Sequence, residues 1–564
     1  MRRVFLCFGL AVIVATTAAP LIADRLAEPI KVAGGLVSGV PAWGFDVREF
    51  RGIPFAAPPV GNLRWRPPQP VVPWQGVKSA QYFAPPCMQQ EQPLNSGAWN
   101  KHPVPFSEDC LYLNVWTPAN TPAAKLPVVV FFYGGGGTLG YGGDWRYDGS
   151  TLAKKGVIVV NPNYRVNAFG WLAHPELTAE SPNHASGNYG ALDQVAALKW
   201  VKDNIAAFGG DPDKITIWGQ SGGARSVNWL VASPLTKGLF RAAIAQSHTV
   251  FGRMSTLKEA EQNGVEFAKV AGKTSLADLR ALSTQQVFDA FQQRGTGLSG
   301  TIVDGWFLPT DIYTIFKDGK QNDVALITGG TNDEGGAIAS AGDDEAGGGR
   351  GGARGGGRGA PESTEPAVPV AARGGGRGGG PPETLAAYNA WAERTLGVNA
   401  AAFLKLYPAK TDAEAKRAYH DANRDGNFAG HRLWATLQSA TGKQPAYMYL
   451  FSHVPPYPVG NGNAPTPFKG AIHFADMVYA FSNLRNWDYP WTATDHKVAE
   501  SMTTYWMNFV KTLNPNSAGL TNWPVYNPKN ELMLNIGDLN TVEKINAARM
   551  NFIVGLQEAG RAKK

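Results

Sequence analysis

The run Ile215-Thr-Ile-Trp-Gly-Gln-Ser-Gly-Gly223 is an apolar strand that must turn at once into a helix, and this junction restricts the fold more than any other stretch. So sharp a turn leaves no room for side chains on its flanks, which is why Gly219 and Gly223 bracket Ser221. It lifts the serine Oγ above a sheet edge, where the amides opening the helix can face a developing oxyanion. A five-residue G-x-S-x-G match is weak alone. Its strand-before, helix-after context gives it weight.

The surrounding chain repeats the strand–helix alternation. Leu126–Tyr133, Gly156–Val160, Ala242–Ala245, Val324–Ile327 and Tyr447–Phe451 are uninterrupted apolar runs, as is Ile215–Trp218. Runs without polar alternation suit strands buried on both faces of a parallel sheet. Leu192, Val195, Leu198, Val201, Ile205 and Phe208 recur at helical spacing, and Gly209-Gly210 with Pro212 should end that helix. The expected class is α/β, with a mostly parallel sheet flanked by helices.

Met1-Arg-Arg precedes an apolar run from Val4 to Val14, and small residues cluster at 15–19. This is the layout of a signal peptide over 1–19, too short to span a bilayer; an N-terminal anchor is the alternative. No stable membrane insertion is expected of the remainder. Once Cys7 leaves with that leader, Cys87 and Cys110 remain and most simply form one disulfide. No C-x-x-C or zinc-spaced cluster occurs, so no metal or other cofactor is expected. Net charge is +7, or +5 without Arg2 and Arg3 (50 basic against 45 acidic residues), too diffuse for a nucleic-acid face. Residues 341–382 are Gly-rich with interspersed Arg350, Arg354, Arg358, Arg373 and Arg377. Such a segment reads as a disordered loop insertion, or as a polyanion contact, within a single domain over 28–560.

A nucleophilic serine requires a base, an orienting acid and oxyanion donors. Gly329-Gly-Thr-Asn-Asp-Glu-Gly-Gly336 follows an apolar run and offers Asp333 or Glu334 as the acid. His473, in Gly470-Ala-Ile-His-Phe-Ala-Asp476, is the candidate base. Donor amides are available in Gly134–Gly137 and at Gly222. The order Ser, acid, His is that of α/β-hydrolases.

With these motifs in place the chain resembles the type-B carboxylesterases, which include cholinesterases and bacterial para-nitrobenzyl esterases. The resemblance also rests on Phe50-Arg-Gly-Ile-Pro54, Leu63-Arg-Trp65, Glu108-Asp-Cys-Leu-Tyr-Leu-Asn-Val115, Asn163-Tyr-Arg165 and Gly187-Asn-Tyr-Gly190. It implies an α/β-hydrolase fold with cap and gorge insertions. It also implies a Cys87–Cys110 disulfide and a triad of Ser221, Glu334 and His473. Gly135, Gly136 and Gly222 would supply the oxyanion hole, and Ser247 would support the acid. Asp333 would then be a turn residue.

The chain departs from the family's usual G-E-S-A-G at Gln220 and Gly222. Gln220 removes a negative charge beside the nucleophile, and Gly222 keeps its amide on a freer backbone. Arg225, where a small residue is usual, either meets an acidic substrate group or satisfies a nearby carboxylate. His248 stands where glycine is usual. Aromatics of 383–440 (Tyr388, Trp391, Phe403, Phe428, Trp434) are available either to a gorge wall or to the core. The expectation is a secreted serine esterase acting on aryl or medium acyl esters. The alternatives are a catalytically impaired binding or adhesion member of the same fold, and polyanion binding through the Arg/Gly segment.

Overall fold

The computed structural model describes residues 26, 28–42, 44, 46–90, 105–294, 297–334, 382–456 and 470–562. The proposed leader, Gly335, Gly336 and residues 341–381 of the insertion lie outside them. The strands are β1 (Ile30–Val32), β2 (Gly35–Ser38), β3 (Val40–Pro41), β4 (Arg48–Pro54), β5 (Val77–Ser79), β6 (Tyr112–Thr117), β7 (Leu126–Phe132) and β8 (Ile158–Pro162). They continue as β9 (Gly210–Gln220), β10 (Ala242–Gln246), β11 (Ala325–Thr331), β12 (Ala446–Phe451), β13 (Leu532–Ile536) and β14 (Thr541–Lys544). All six apolar runs are strands.

Among the described residues eleven strands form one sheet, in the order β14-β13-β12-β11-β10-β9-β7-β8-β6-β4-β3. Its centre, from β13 to β8, is parallel, while β14 and the β6-β4-β3 end are antiparallel. Every residue of β10, β11 and β12 is buried, as strands covered on both faces require. The register aligns the carboxyl ends: Phe132 faces Gly219, Gln220 faces Gln246, and Gln246 faces Gly329. The loops after β7, β9, β10 and β11 therefore emerge at one edge, where open α/β sheets bind ligands.

The helix carrying the 192–201 periodicity runs Tyr189–Asn204 and tightens into a 3₁₀ turn, Ile205–Phe208. Gly209, at φ 82°, ends it in the left-handed region that glycine tolerates. Pro212 falls inside β9, whose pairing slips between Leu126 and Val128 to accommodate the 210–215 stretch. Several sequence motifs prove to be clamps around this scaffold. Arg165 holds the fully buried Asp193 through Nε at 2.8 Å and Nη2 at 2.7 Å, tying the end of β8 to the 189–204 helix. Arg64 pairs with Glu108 through Nε at 2.8 Å, and Trp65 donates to the Ala168 carbonyl.

The aromatics of 383–440 belong to cores. Tyr388, Phe403 and Tyr407 are buried in a satellite cluster against which Trp391 packs, and Phe428 and Trp434 belong to the main core. The gorge-wall expectation for these side chains therefore gives way to the alternative. Their ring contacts lie within these cores, as in Tyr388–Trp391 at 6.1 Å, Phe403–Tyr407 at 4.8 Å and Phe316–Trp434 at 5.9 Å.

Cys87 and Cys110 are disulfide-bonded across 23 positions, and both are buried. Closing a loop of that length restricts the unfolded chain by about 3 kcal/mol. Urea unfolding of a Cys87→Ala/Cys110→Ala protein should show a loss of that size. An unchanged midpoint would mean that the bridge adds nothing to stability.

Candidate active site

The elbow is built by backbone crossing. A Cβ on Gly219 would stand 2.1 Å from the Gly223 carbonyl oxygen, and one on Gly223 would stand 1.9 Å from that of Phe132. Neither position accepts a side chain. Ser221, between them, takes φ 56° and ψ −121° as the N-cap of the helix Gly222–Ala232. That conformation costs about 1–3 kcal/mol for a residue with a Cβ. It is held by the Ser221 amide donating to Gln246 at 2.8 Å and by the packed helix behind it.

Facing the serine, the loop after β7 runs through Gly135, Gly136 and Gly137 at φ 110°, 63° and 75°. Three successive positive values give this loop a course that side chains would resist and glycine tolerates. A Cβ on Gly222 would stand 2.8 Å from the Gly136 nitrogen and 3.3 Å from the Gly137 nitrogen. The bare Cα of Gly222 thus lets this loop sit close against the helix start. The expected donors Gly136 and Gly222 come together, with Gly135 in the same loop.

Glu334 and His473 meet although they are 139 positions apart. His473 Nδ1 donates to Glu334 Oε2 at 2.7 Å. The carboxylate is 4% exposed while the imidazole is 42% exposed, so Glu334 is sealed behind a ring that is itself open. Burial alone would raise the Glu334 pKa. The His473 charge and hydrogen bond more than offset this, aided by the Ser247 hydroxyl and the Thr331 amide, and hold it at about 2. The Ser247 Oγ lies beside the carboxylate without a hydrogen bond of full geometry. For His473 burial lowers the pKa, but the Glu334 charge and hydrogen bond and the charge of Asp476 bring it above the ordinary imidazole value.

Asp333 has a separate task. It pairs in a backbone bridge with Ile472, its amide donates to Ala471 at 2.9 Å, and its carboxylate accepts from the Ala471 amide at 2.8 Å. It fastens the histidine loop to the acid loop. Asp476, not singled out by the sequence reading, lies three positions beyond His473. It accepts from Gln246 and Tyr449 at 2.7 Å each, and burial pushes its carboxyl up to about 6.

Because Nδ1 donates to Glu334, the resting Nε2 is an acceptor. Gln220 Nε2 lies 3.3 Å from it and can donate. Among the described residues no hydrogen bond joins the Ser221 hydroxyl to His473, so the serine–histidine link is open in this state, as is common without substrate. Arg225 donates from Nη2 to the Ser299 carbonyl at 3.2 Å. His248 is solvent-open, yet protein crowds it enough that burial, helped by the charges of Arg225 and His473, pushes it down to about 3. Among the described residues no three His, Cys, Asp or Glu side chains converge as a metal set.

A parallel-centred sheet, a strand–serine–helix elbow and the loops gathered at its carboxyl edge define an α/β-hydrolase. The sequence profile of the Carboxylesterase family matches residues 28–553, and the chain belongs to that family of carboxylic ester hydrolases. It is 34% identical over 510 residues to fumonisin B1 esterase of Sphingopyxis macrogoltabida, covering 88% of this chain and 84% of that protein. It is 32% identical to liver carboxylesterase 1F of Rattus norvegicus, covering 86% of each. A solved PNB esterase superposes with a TM-score of 0.73 at 29% identity, over 93% of this chain and 98% of that one.

A raised His473 pKa sets a testable pH limit. If His473 is the base, kcat/KM should fall in acid with a midpoint above the ordinary value of about 6.5. Glu334→Gln removes the charge that raises it, so the midpoint should move down while the rate drops. Gln220→Glu adds a charge beside Nε2 and should move the midpoint up by on the order of one unit. A profile flat between pH 5 and 8 would contradict the assignment.

Proposed function

We propose that the protein is a secreted serine esterase, one catalytic domain over 28–560, acting through Ser221, His473 and Glu334. The observation that carries this reading is the Glu334–His473 hydrogen bond, with the carboxylate buried and the imidazole exposed, near an elbow serine. Ser221 Oγ attacks the ester carbonyl as His473 Nε2 takes its proton. The amides of Gly136 and Gly222, with that of Gly135, hold the tetrahedral oxyanion; one such donor is worth roughly 3–4 kcal/mol. His473 returns the proton to the departing alcohol. Water, activated by the same nitrogen, then releases the acid from the acyl-enzyme.

Export is supported by the leader-like N-terminus and the buried disulfide, which persists in oxidising compartments. Among the described residues no helix is long and apolar enough to cross a membrane. The likeness to PNB esterases supports ester hydrolysis, and the reading extends it to aryl or medium acyl esters. The contact between Gln220 and His473 Nε2 favours one second reading, an impaired member of the fold that binds without turnover.

Hydrolysis of p-nitrophenyl acetate through decanoate by the wild type and by Ser221→Ala separates the two. The esterase reading expects turnover that the substitution lowers by roughly 10⁶-fold, with a chain-length optimum reporting pocket depth. A folded wild type inert on every ester would overturn it in favour of the binding protein.

A further inference from the structure

Two side chains beside the nucleophile take no part in the steps above. Arg225 stands one helical turn beyond Ser221, its amide donating to the Ser221 carbonyl at 3.1 Å. Its guanidinium is half-buried and reaches the Ser299 carbonyl. That same oxygen lies where a Cβ on Gly137 would approach to 1.9 Å, so it is pressed against the oxyanion loop. The guanidinium is thereby set at the rim of the proposed oxyanion site. His248 follows Ser247 directly, at the carboxyl end of β10, and its ring is open to solvent. Of its neighbours, the charge of Arg225 acts on it most strongly, followed by that of His473 when protonated.

A guanidinium cannot serve as acid or base in this reaction, since it stays protonated throughout. It is neither the nucleophile's base nor a backbone oxyanion donor. Glu334, the acid of the triad, is turned onto His473 and sealed at 4% exposure, so its charge is already engaged there. What Arg225 and His248 offer jointly is a permanent charge in a planar fork and a neutral ring N–H donor. A fork of N–H groups matches a carboxylate in two-point fashion.

We propose that Arg225 and His248 bind a carboxylate carried by the ester substrate, so that the preferred substrates are half-esters of dicarboxylic acids or esters of carboxyl-bearing alcohols. This rests on the esterase reading and narrows its substrate class. The competing role for Arg225 is a brace that holds Ser299 against Gly137. A brace would affect charged and neutral esters alike, whereas a recognition residue discriminates between them.

The test is a set of matched pairs. 1-Naphthyl glutarate against 1-naphthyl pentanoate places the charge on the acyl side. 4-Carboxyphenyl pentanoate against 4-carbamoylphenyl pentanoate places it on the alcohol side. In one of the two pairs the ratio of kcat/KM, charged over neutral, should fall at least tenfold in Arg225→Gln. Arg225→Lys should keep part of it, and His248→Ala should lower it less. The wild-type ratio should also shrink as sodium chloride is raised, since salt screens the attraction. Without any variant, either glutarate should inhibit the wild type at concentrations at least tenfold below glutaramide, or 4-hydroxybenzoate should do so relative to 4-hydroxybenzamide. Equal losses on both members of both pairs, or no difference between anion and amide inhibitors, would overturn the inference and leave the esterase reading standing. Absence of turnover on all four esters by a folded wild type would instead overturn both.

Discussion

The backbone crossing at Gly219 and Gly223 is the constraint on which the rest of this structure depends. With Gly223 pressed onto the Phe132 carbonyl and Gly219 onto Gly223, β7, β9 and the 222–232 helix meet at distances that only hydrogen side chains permit. Ser221 is forced to φ 56° by this meeting. The register of the parallel strands then sets every other group relative to it, since Gln220, Gln246 and Gly329 lie across from one another. A one-residue slip in any pair would move the acid loop or the oxyanion loop away from the serine.

The acid loop shows how adjacent carboxylates divide their work by direction. Asp333 turns onto the backbone of Ala471 and fixes where the histidine loop lies. Glu334 points the other way, to Nδ1 of His473, and its burial strengthens that interaction by excluding water. Placement and polarisation of the imidazole thus come from two neighbouring residues with different partners. Gln220 then addresses the opposite ring nitrogen, so both sides of the imidazole are constrained before any ester enters.

Much of the fold was legible because strands buried on both faces are largely apolar, as β10 to β12 are. The rim was not. β5 has two exposed residues out of Val77–Ser79, and β14 is largely exposed, so no apolar pattern marks them. Ser221, Glu334 and His473, the residues proposed as the triad, stood out through their local glycine-rich settings, which record tight turns. The Gln220–His473 contact did not, because it joins residues 253 positions apart. The aromatics of 383–440 could not be assigned from composition, since a ring in a satellite core and a ring on a gorge wall have the same hydropathy. Packing placed them in the core.

The central claim is that strain and register make Ser221 a nucleophile driven by His473. A fluorophosphonate probe tests it directly, because it labels only a serine activated for attack. Trypsin releases the probe-bearing segment as Ile215–Arg225, in which Ser221 is the sole serine. Mass spectrometry of labelled protein should find the adduct on that peptide, formed far more slowly in His473→Ala. An adduct on a different serine, or none on a folded protein, would contradict the account.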